Sequence, residues 1–361
     1  MNPTVAPYRF HAFEVSYFSA KVRPALRYKQ LWYEELRADV EEVRRRTGLG
    51  FIPILVTSED ATWQDSSDIL DALEARHPAP PLFPTTPLER IAAFLIELYA
   101  DEFGLTPAMH WRWGTPEREA SSRARFVAMS GSERLGNAFA DAMVRRRDSV
   151  GATPAAAPAI EAHTRDLLAA LSAHFSAHAY LLGARMSLAD CALMGLAHGH
   201  LFTDLDSRRL LLETAVPVVG WIERCNVPCS DRQGDWLAGD ALPASLLRVL
   251  QVMGRDAAPL LLECVARVEA WADAYAKPGE EPPRGVGSLD TRLRGAPYHL
   301  AVRSYSLFML QRALDAWRAL PAAERSRVRT AVTGTGWEAV LDYEPRHRLG
   351  KREFRLAFEP R

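Results

Sequence analysis

The chain has 361 residues, of which 48% are hydrophobic and 25% are charged, and its formal net charge at pH 7 is -1. This length exceeds what one ordinary hydrophobic core supports, so two or three domains are expected, and the near-zero charge excludes a whole-molecule field that would attract nucleic acid or an anionic membrane. No apolar run has the length of a membrane span and the N-terminus has no secretory signal pattern, so the sequence predicts a cytoplasmic protein without membrane or nucleic-acid partners.

The four cysteines are too few for a disulfide framework, and all of them lie in the second half of the chain. Cys225 and Cys229 have a spacing found in metal sites, but no second Cys or His pair with ligand spacing follows them. We therefore expect no metal site.

The first part of the chain alternates between strand-like and helix-like patterns. The predicted strands cover residues 8–15, 31–36, 51–56 and 62–65, and the predicted helices cover residues 20–31, 40–47 and 66–76. Pro53 removes a backbone donor from the third strand, so that strand must lie at an edge or begin at the proline. The order of elements predicts an α/β layer over residues 1–80.

A proline-rich connector separates this layer from a helical region. Residues 77–84 contain four prolines, which indicate a stiff extended segment, and residues 81–88 are assigned to the linker. Residues 89–278 are predicted to form an all-α domain because helical spacing recurs over residues 88–113, 119–147, 158–176, 187–200, 243–254 and 258–275.

A second break at residues 277–284 leaves residues 279–361 as a small appended α+β element. One helix is predicted over residues 304–320, and strand patterns follow near the end. The basic run at residues 346–352 lacks a nucleic-acid-binding motif, so we interpret it as an exposed strand edge protected by charges.

Two features of the first domain have the groups needed to hold a peptide that carries a thiolate. Ser16 and Ser19 lie between the first strand and the first helix, where a hydroxyl and the free N–H groups of the helix N-terminus can stabilise an anion. Ile52 precedes Pro53, and a cis bond there would expose the backbone of Ile52 to a peptide ligand. The structural alternatives are an ordinary helix cap for the serines and a trans edge proline for Pro53.

The third feature is an acidic–serine pair at the start of the third helix. Ser66 and the first-turn amides can bind a carboxylate, and Asp65 can pair with an amino group. Simple helix capping by either residue is the structural alternative, and on this feature alone it is at least as good an interpretation.

The order and spacing of the three features resemble those of the glutathione transferases. The segments at residues 16–23, 52–55 and 64–69 are similar to the family's motifs, and residues 183–190 resemble the capping box and hydrophobic staple of its helical domain. The resemblance covers residues 8–275. It implies a thioredoxin-like N-terminal domain and a helical glutathione transferase C-terminal domain, followed here by an unusual C-terminal extension.

Among the family's classes, the Ser-type classes, zeta-like or related bacterial, look the most similar. The resemblance implies glutathione as co-substrate, with Ser16 as the catalytic hydroxyl and with glutathione contacts from Ser19, Ile52, Pro53, Asp65 and Ser66. Asp65 is one methylene shorter than the usual Glu, and no Cys lies near the turn, which disfavours thiol–disulfide exchange.

A hydrophobic electrophilic small molecule is the implied second substrate, in a pocket against the helical domain. Aromatic residues and one histidine are the candidates for its lining: Phe18, Tyr99, Phe103, His110, Trp111 and Trp113. Aromatic residues at helical spacing are otherwise ordinary core residues.

The implied activity is a transferase, or a related lyase or isomerase, that stabilises the glutathione thiolate for attack on an electrophile, as in detoxification. The alternative is a glutathione transferase-like protein without catalytic activity, which serves as a binding or interaction protein. Family members commonly form two-fold dimers, so a homodimer is expected unless the C-terminal element blocks or replaces that interface.

Overall fold

A four-stranded sheet forms the first layer of the computed structural model, which describes residues 6–228 and 233–360. The strand order is β2-β1-β3-β4, with β1 parallel to β2 and antiparallel to β3, and β3 antiparallel to β4. The elements of this layer are β1 (Tyr8–Ala12), α1 (Tyr17–Tyr28), β2 (Tyr33–Arg37), α2 (Val40–Thr47), β3 (Ile54–Val56), β4 (Thr62–Gln64) and α3 (Ser66–Arg76).

The two faces of the sheet are covered by different helices. Phe10 and Leu55 belong to the main hydrophobic core, together with apolar residues of α1 and α3. Ile54 and Val56 instead pack against Val43 of α2 in a separate small cluster. Successive strand residues point to opposite faces, so the short apolar strand β3 contributes side chains to both hydrophobic clusters. This arrangement confirms the predicted thioredoxin-like layer.

The second region is helical, as predicted. Its helices are α4 (Pro87–Glu102), α5 (Leu105–Trp113), α6 (Pro116–Ser130), α7 (Glu133–Ser149), α8 (Ala157–Phe175), α9 (Leu188–Leu196), α10 (Leu205–Thr214), α11 (Val216–Asn226) and α12 (Ala244–Tyr275). A π-helical turn at Ala197–Phe202 continues α9. All nine residues of α9 are buried, and Ser187 and Asp190 form its capping box, as the sequence indicated.

Three helix predictions differ from the structure. Residues 119–147 form the two helices α6 and α7, because α6 ends at Gly131 in the left-handed region with φ of 67°. Residues 88–113 form two helices, and the chain turns at Gly104, where an added Cβ would lie 2.5 Å from the Tyr17 hydroxyl. Conversely, the two helices predicted around residues 243–275 are the single helix α12. Its buried side continues across Pro259, and packing against α8 and α4 outweighs the missing backbone donor.

The C-terminal extension has the predicted α+β composition. Its elements are β5 (Gly285–Leu293), β6 (Ala296–Arg303), α13 (Tyr305–Arg318), α14 (Ala322–Ala331), α15 (Glu338–Leu341), β7 (Leu349–Arg352) and β8 (Arg355–Phe358). The β5–β6 hairpin was not predicted. Helix α13 packs against α4, and the buried Trp337 indole donates to the Leu250 carbonyl oxygen at 3.0 Å, which fixes the extension on α12.

Across residues 6–228 and 233–360, no helix combines the length and the apolar character needed to cross a membrane.

Candidate functional site

The strand register brings the three predicted site segments to one edge of the sheet, the edge at which β1 and β4 end and β3 begins. His11 lies opposite Ile54 in the β1–β3 ladder, and Ile54 lies opposite Gln64 in the β3–β4 ladder. The residues that follow His11, precede Ile54 and follow Gln64 therefore meet at the same edge. This row places the β1–α1 turn, the Ile52–Pro53 bond and the start of α3 next to one another.

Ser16 and Ser19 occupy different environments in the β1–α1 turn. Ser16 is half-buried and is the N-cap of α1, with its Oγ accepting from the Ser19 N–H at 3.3 Å. A hydroxyl that accepts through a lone pair still has its proton to donate. Ser19 is completely buried, and its Oγ accepts from the Phe13 N–H at 3.4 Å. Of the two hydroxyls, Ser16 is therefore the more accessible to a ligand.

The Ile52–Pro53 bond is cis, as predicted. Ile52 is half-buried and Pro53 is buried, and both precede the paired stretch of β3. The Gln64 side-chain amide donates to the Phe51 carbonyl oxygen at 2.8 Å, so the end of β4 holds the segment before the proline in place.

Asp65 is the N-cap of α3 and has an unusual backbone conformation. Its φ of 77° lies in the left-handed region, which a non-glycine residue seldom occupies. One carboxylate oxygen accepts from the Ser67 N–H at 2.9 Å, so the capping interpretation of Asp65 is confirmed. Ser66 follows as the first helical residue and is buried at 5% exposure.

The second carboxylate oxygen of Asp65 is bound by the C-terminal extension. The Lys351 ammonium lies 2.9 Å from Asp65 Oδ2 and 2.7 Å from Asp68 Oδ2, and the Tyr305 hydroxyl donates to Asp65 Oδ2. The contact between Asp65 and a ligand amino group stays a prediction. The Asp65 carboxylate already has a cation and a hydroxyl as partners within the chain.

These contacts oppose the effect of burial on the titration of Asp65. Burial acts to raise the pKa of Asp65, but the Lys351 ammonium and the Tyr305 hydroxyl outweigh it, and the pKa lies below its usual range. For Asp68 the balance is reversed. Burial and the neighbouring Asp65 charge raise the pKa of Asp68 despite its ion pair with Lys351.

Tyr305 and Lys351 were not identified from the sequence. Lys351 lies in the basic run that we interpreted as a charge-protected strand edge, and it does lie in β7, at 16% side-chain exposure. Lys351 is one basic residue in a run that also contains Arg346, Arg348 and Arg352, and the sequence around it does not indicate its partner. The Arg284 guanidinium is a third extension group near this edge, 3.8 Å from the centroid of the Phe51 ring.

A buried charge network joins α1 and α3 to the helical region. The Lys21 ammonium donates to Ser67 Oγ at 2.9 Å and forms ion pairs with Glu97 at 2.9 Å and Asp101 at 2.6 Å. Burial acts to lower the pKa of Lys21, but the two carboxylates raise it above its ordinary value, so the ammonium stays charged. The network fixes the relative positions of the Ser16 and Ser66 turns.

The groups at this edge differ in how well they could hold an anion or a cation. A carboxylate can be bound by the Ser66 hydroxyl and by the positive end of α3, and a thiolate by the Ser16 hydroxyl at the N-terminus of α1. A ligand ammonium group has fewer available partners here, because Asp65 and Asp68 are both paired with Lys351.

The predicted pocket-lining aromatic residues are mostly part of the core. Tyr99, Phe103, His110, Trp111 and Trp113 are each at most 5% exposed, whereas Phe18 is half-buried and packs edge-on against Tyr17. A role in lining a substrate pocket stays a prediction for all six.

Polar partners account for several of these buried rings. The Tyr99 hydroxyl lies 2.6 Å from His163 Nε2, the His110 Nε2 lies 3.0 Å from Glu161, and the Trp111 indole donates to Thr164 Oγ1 at 3.1 Å. Burial lowers the pKa of His110 despite its contact with Glu161. Tyr99 and Phe103 also border a small cavity of about 30 Å³ between α4, α12 and β6.

Within residues 6–228 and 233–360, no three His, Cys, Asp or Glu side chains cluster closely enough to hold a metal ion. Cys191, Cys225 and Cys264 are buried free thiols. Cys229, the second member of the pair considered from the sequence, lies outside the described residues.

Three solved structures illustrate what the chain is similar to. A glutathione S-transferase from Methylobacterium radiotolerans in complex with glutathione sulfonate has 21% identity and a TM-score of 0.39, covering 62% of this chain and 92% of its own. A beta-etherase from a Sphingobium species has 19% identity and a TM-score of 0.46, covering 62% and 97%. A glutathione S-transferase from Rhodospirillum rubrum has 19% identity and a TM-score of 0.43, covering 66% and 97%.

No curated protein sequence matches the chain. Residues 10–81 match the family model described as the glutathione S-transferase N-terminal domain. This stretch contains the three segments that the strand register brings together. Residues 10–81 are therefore similar to the N-terminal domain of the glutathione S-transferases.

Proposed function

We propose that the sheet edge formed by the Ser16 turn, the Ile52–Pro53 bond and the Asp65–Ser66 pair binds glutathione. The observation that carries this proposal is the register that aligns His11, Ile54 and Gln64 across three strands. It gathers a turn hydroxyl, a free stretch of backbone and a helix N-terminus, which match the thiol, the peptide backbone and a carboxylate of a tripeptide thiol.

The proposed activity is that of a glutathione-dependent transferase or a related lyase or isomerase. Bound glutathione supplies the nucleophilic sulfur. The Ser16 hydroxyl and the N-terminus of α1 hold that sulfur as a thiolate, since a free thiol has a pKa of about 8.5 and is mostly protonated at neutral pH. A charge-assisted hydrogen bond contributes roughly 1.5–3 kcal/mol, which corresponds to about one to two pKa units.

A hydrophobic electrophile is the proposed second substrate, bound on the helical side of the β1–α1 turn. Phe18 is the candidate that is partly exposed, and the rings of Phe13 and Phe139 lie 5.8 Å apart where α7 approaches the same turn. These aromatic side chains offer an apolar surface next to Ser16.

The second candidate is a non-catalytic binding or interaction protein. It is favoured by the Asp65–Lys351 ion pair, because a group assigned to ligand binding is engaged inside the chain. The two candidates differ in turnover. Consumption of an electrophile in the presence of glutathione supports the enzyme, and binding without turnover across a broad panel supports the alternative.

A thermal-shift titration tests glutathione binding directly. A ligand at a hundred times its Kd stabilises the folded protein by about 2.7 kcal/mol, so the Tm should rise with millimolar glutathione. Ser66→Ala should weaken binding by about tenfold, because it removes one donor to a charged group. Ser58→Ala, in the loop between β3 and β4, is the matched control and should bind as the wild type does. The absence of any Tm rise contradicts the proposal.

A further inference from the structure

Asp65 has donors on both carboxylate oxygens. Oδ1 accepts from the Ser67 N–H at 2.9 Å, while Oδ2 forms an ion pair with the Lys351 ammonium at 2.9 Å and accepts from the Tyr305 hydroxyl. The extension therefore supplies both a cation and a hydroxyl donor to Oδ2. A ligand ammonium group would have to displace one of these donors to contact Oδ2.

Lys351 is fixed by several contacts. Its ammonium is also 2.7 Å from Asp68 and lies 4.5 Å from the centroid of the Phe308 ring. The strand that carries Lys351 is anchored to α13, because the Gln311 side chain donates to the Leu349 carbonyl oxygen and accepts from the Leu349 N–H, each at 3.0 Å. The ion pair between Lys351 and Asp65 is therefore held in place by the packing of the extension.

The extension changes the charge that a ligand meets at the start of α3. The carboxylates beside Ser66 are those of Asp65 and Asp68, and one ammonium pairs with both. The Lys351 ammonium therefore offsets negative charge beside Ser66. A ligand carboxylate meets less repulsion there, and a ligand α-amino group loses an ion-pair partner.

We propose that Lys351 and Tyr305 are specificity-determining residues that make the site recognise the carboxylate of a γ-glutamyl-type peptide thiol and remain insensitive to its α-amino group. The ligand class is then acyl-cysteinyl thiols that bear a carboxylate on the acyl chain, with or without the amino group. This inference rests on the proposed glutathione site.

The test compares two ligands that differ only in the amino group, glutathione and its des-amino analogue glutaryl-cysteinyl-glycine, by titration calorimetry. Wild-type protein should bind them with Kd values within about threefold of each other. Lys351→Met frees Asp65 and should make glutathione bind about tenfold more tightly than the analogue. Tyr305→Phe keeps the ring and should shift the ratio in the same direction by less. Lys277→Met, at an exposed lysine just before the extension, should leave the ratio unchanged.

A wild-type preference for glutathione of about tenfold or more overturns the inference while leaving the glutathione site intact. An unchanged ratio in both Lys351→Met and Tyr305→Phe, with wild-type circular dichroism, also overturns it. If neither ligand binds to any of the proteins, the proposed function itself fails, and the inference fails with it.

Discussion

Lys21 and Asp101 form an ion pair in the interior of the protein, with 2.6 Å between Nζ and Oδ2 and with both side chains at most 2% exposed. Lys21 belongs to α1 and Asp101 to α4, so the pair crosses from the sheet layer to the helical region. Because the same ammonium donates to Ser67, this pair holds α1, α3 and α4 together behind the candidate site.

Replacing Lys21 should therefore be costly. Lys21→Met leaves Glu97 and Asp101 without their shared cation, and breaking a buried pair by removing one partner typically costs about 3–5 kcal/mol. Urea unfolding should show this loss of free energy of unfolding. Lys277→Met, at a lysine with 74% side-chain exposure, should change stability by less than about 0.5 kcal/mol. Equal effects of the two variants would show that the buried network contributes little.

Gly254 and Gly220 give opposite predictions for the same substitution in a helix. Gly→Ala in a helix interior usually stabilises by up to about 1 kcal/mol. At Gly254 in α12, however, the new Cβ would lie 2.2 Å from the Thr335 carbonyl oxygen, so Gly254→Ala should destabilise by about 2 kcal/mol.

At Gly220 in α11, the nearest atom is the flexible Arg224 guanidinium at 3.4 Å, so Gly220→Ala should be neutral or stabilising. Urea unfolding measures both variants, and hydrogen exchange near residues 335–341 should rise in Gly254→Ala alone. A stabilised Gly254→Ala would mean that the extension is not seated against α12 at this point.

His174 should make the protein sensitive to mild acid. Its imidazole is completely buried, with Nδ1 2.9 Å from Ser245 Oγ and Nε2 3.1 Å from the Leu181 carbonyl oxygen, and burial with the nearby His178 lowers the pKa of His174 to about 4. The unfolded value is about 6.5, so the stability contributed by neutral His174 is present above pH ~6.5 and is lost as the pH falls towards ~4.

The shift corresponds to about 3 kcal/mol of stability across that range. His174→Gln should flatten this part of the curve of unfolding free energy against pH, whereas His299→Gln, at a histidine with 51% side-chain exposure, should preserve it. Parallel curves for wild type and His174→Gln would rule out His174 as the source of the acid sensitivity.

Local signals were sufficient for much of the fold. The α2 helix was predicted with its observed ends, residues 40–47, and in the structure Asp39 caps its start and Gly48 ends it in the left-handed region. The capping box at Ser187 and Asp190 was also predicted from the sequence. The β5–β6 hairpin was missed because its strands carry charged residues and glycines in place of a regular apolar alternation.

The candidate site was predictable only in part. Ser16, Pro53 and Asp65 lie at strand and helix boundaries that the chain order defines, so their convergence followed from the expected topology. The Asp65–Lys351 pair did not, because the two residues belong to different regions and a sequence pattern indicates which residues are charged without indicating their partners. Long-range ion pairs of this kind require the tertiary structure.

The central claim is that the protein binds glutathione and keeps its sulfur ionised, and a pH titration of thiolate absorbance in the protein–glutathione complex tests it most directly. The thiolate should titrate about one to two units below the free value of about 8.5. Ser16→Ala should raise that midpoint by about one unit, whereas Ser132→Ala, which removes an equivalent cap from α7, should leave it unchanged. A midpoint that equals that of free glutathione, or that ignores Ser16→Ala, would contradict the account.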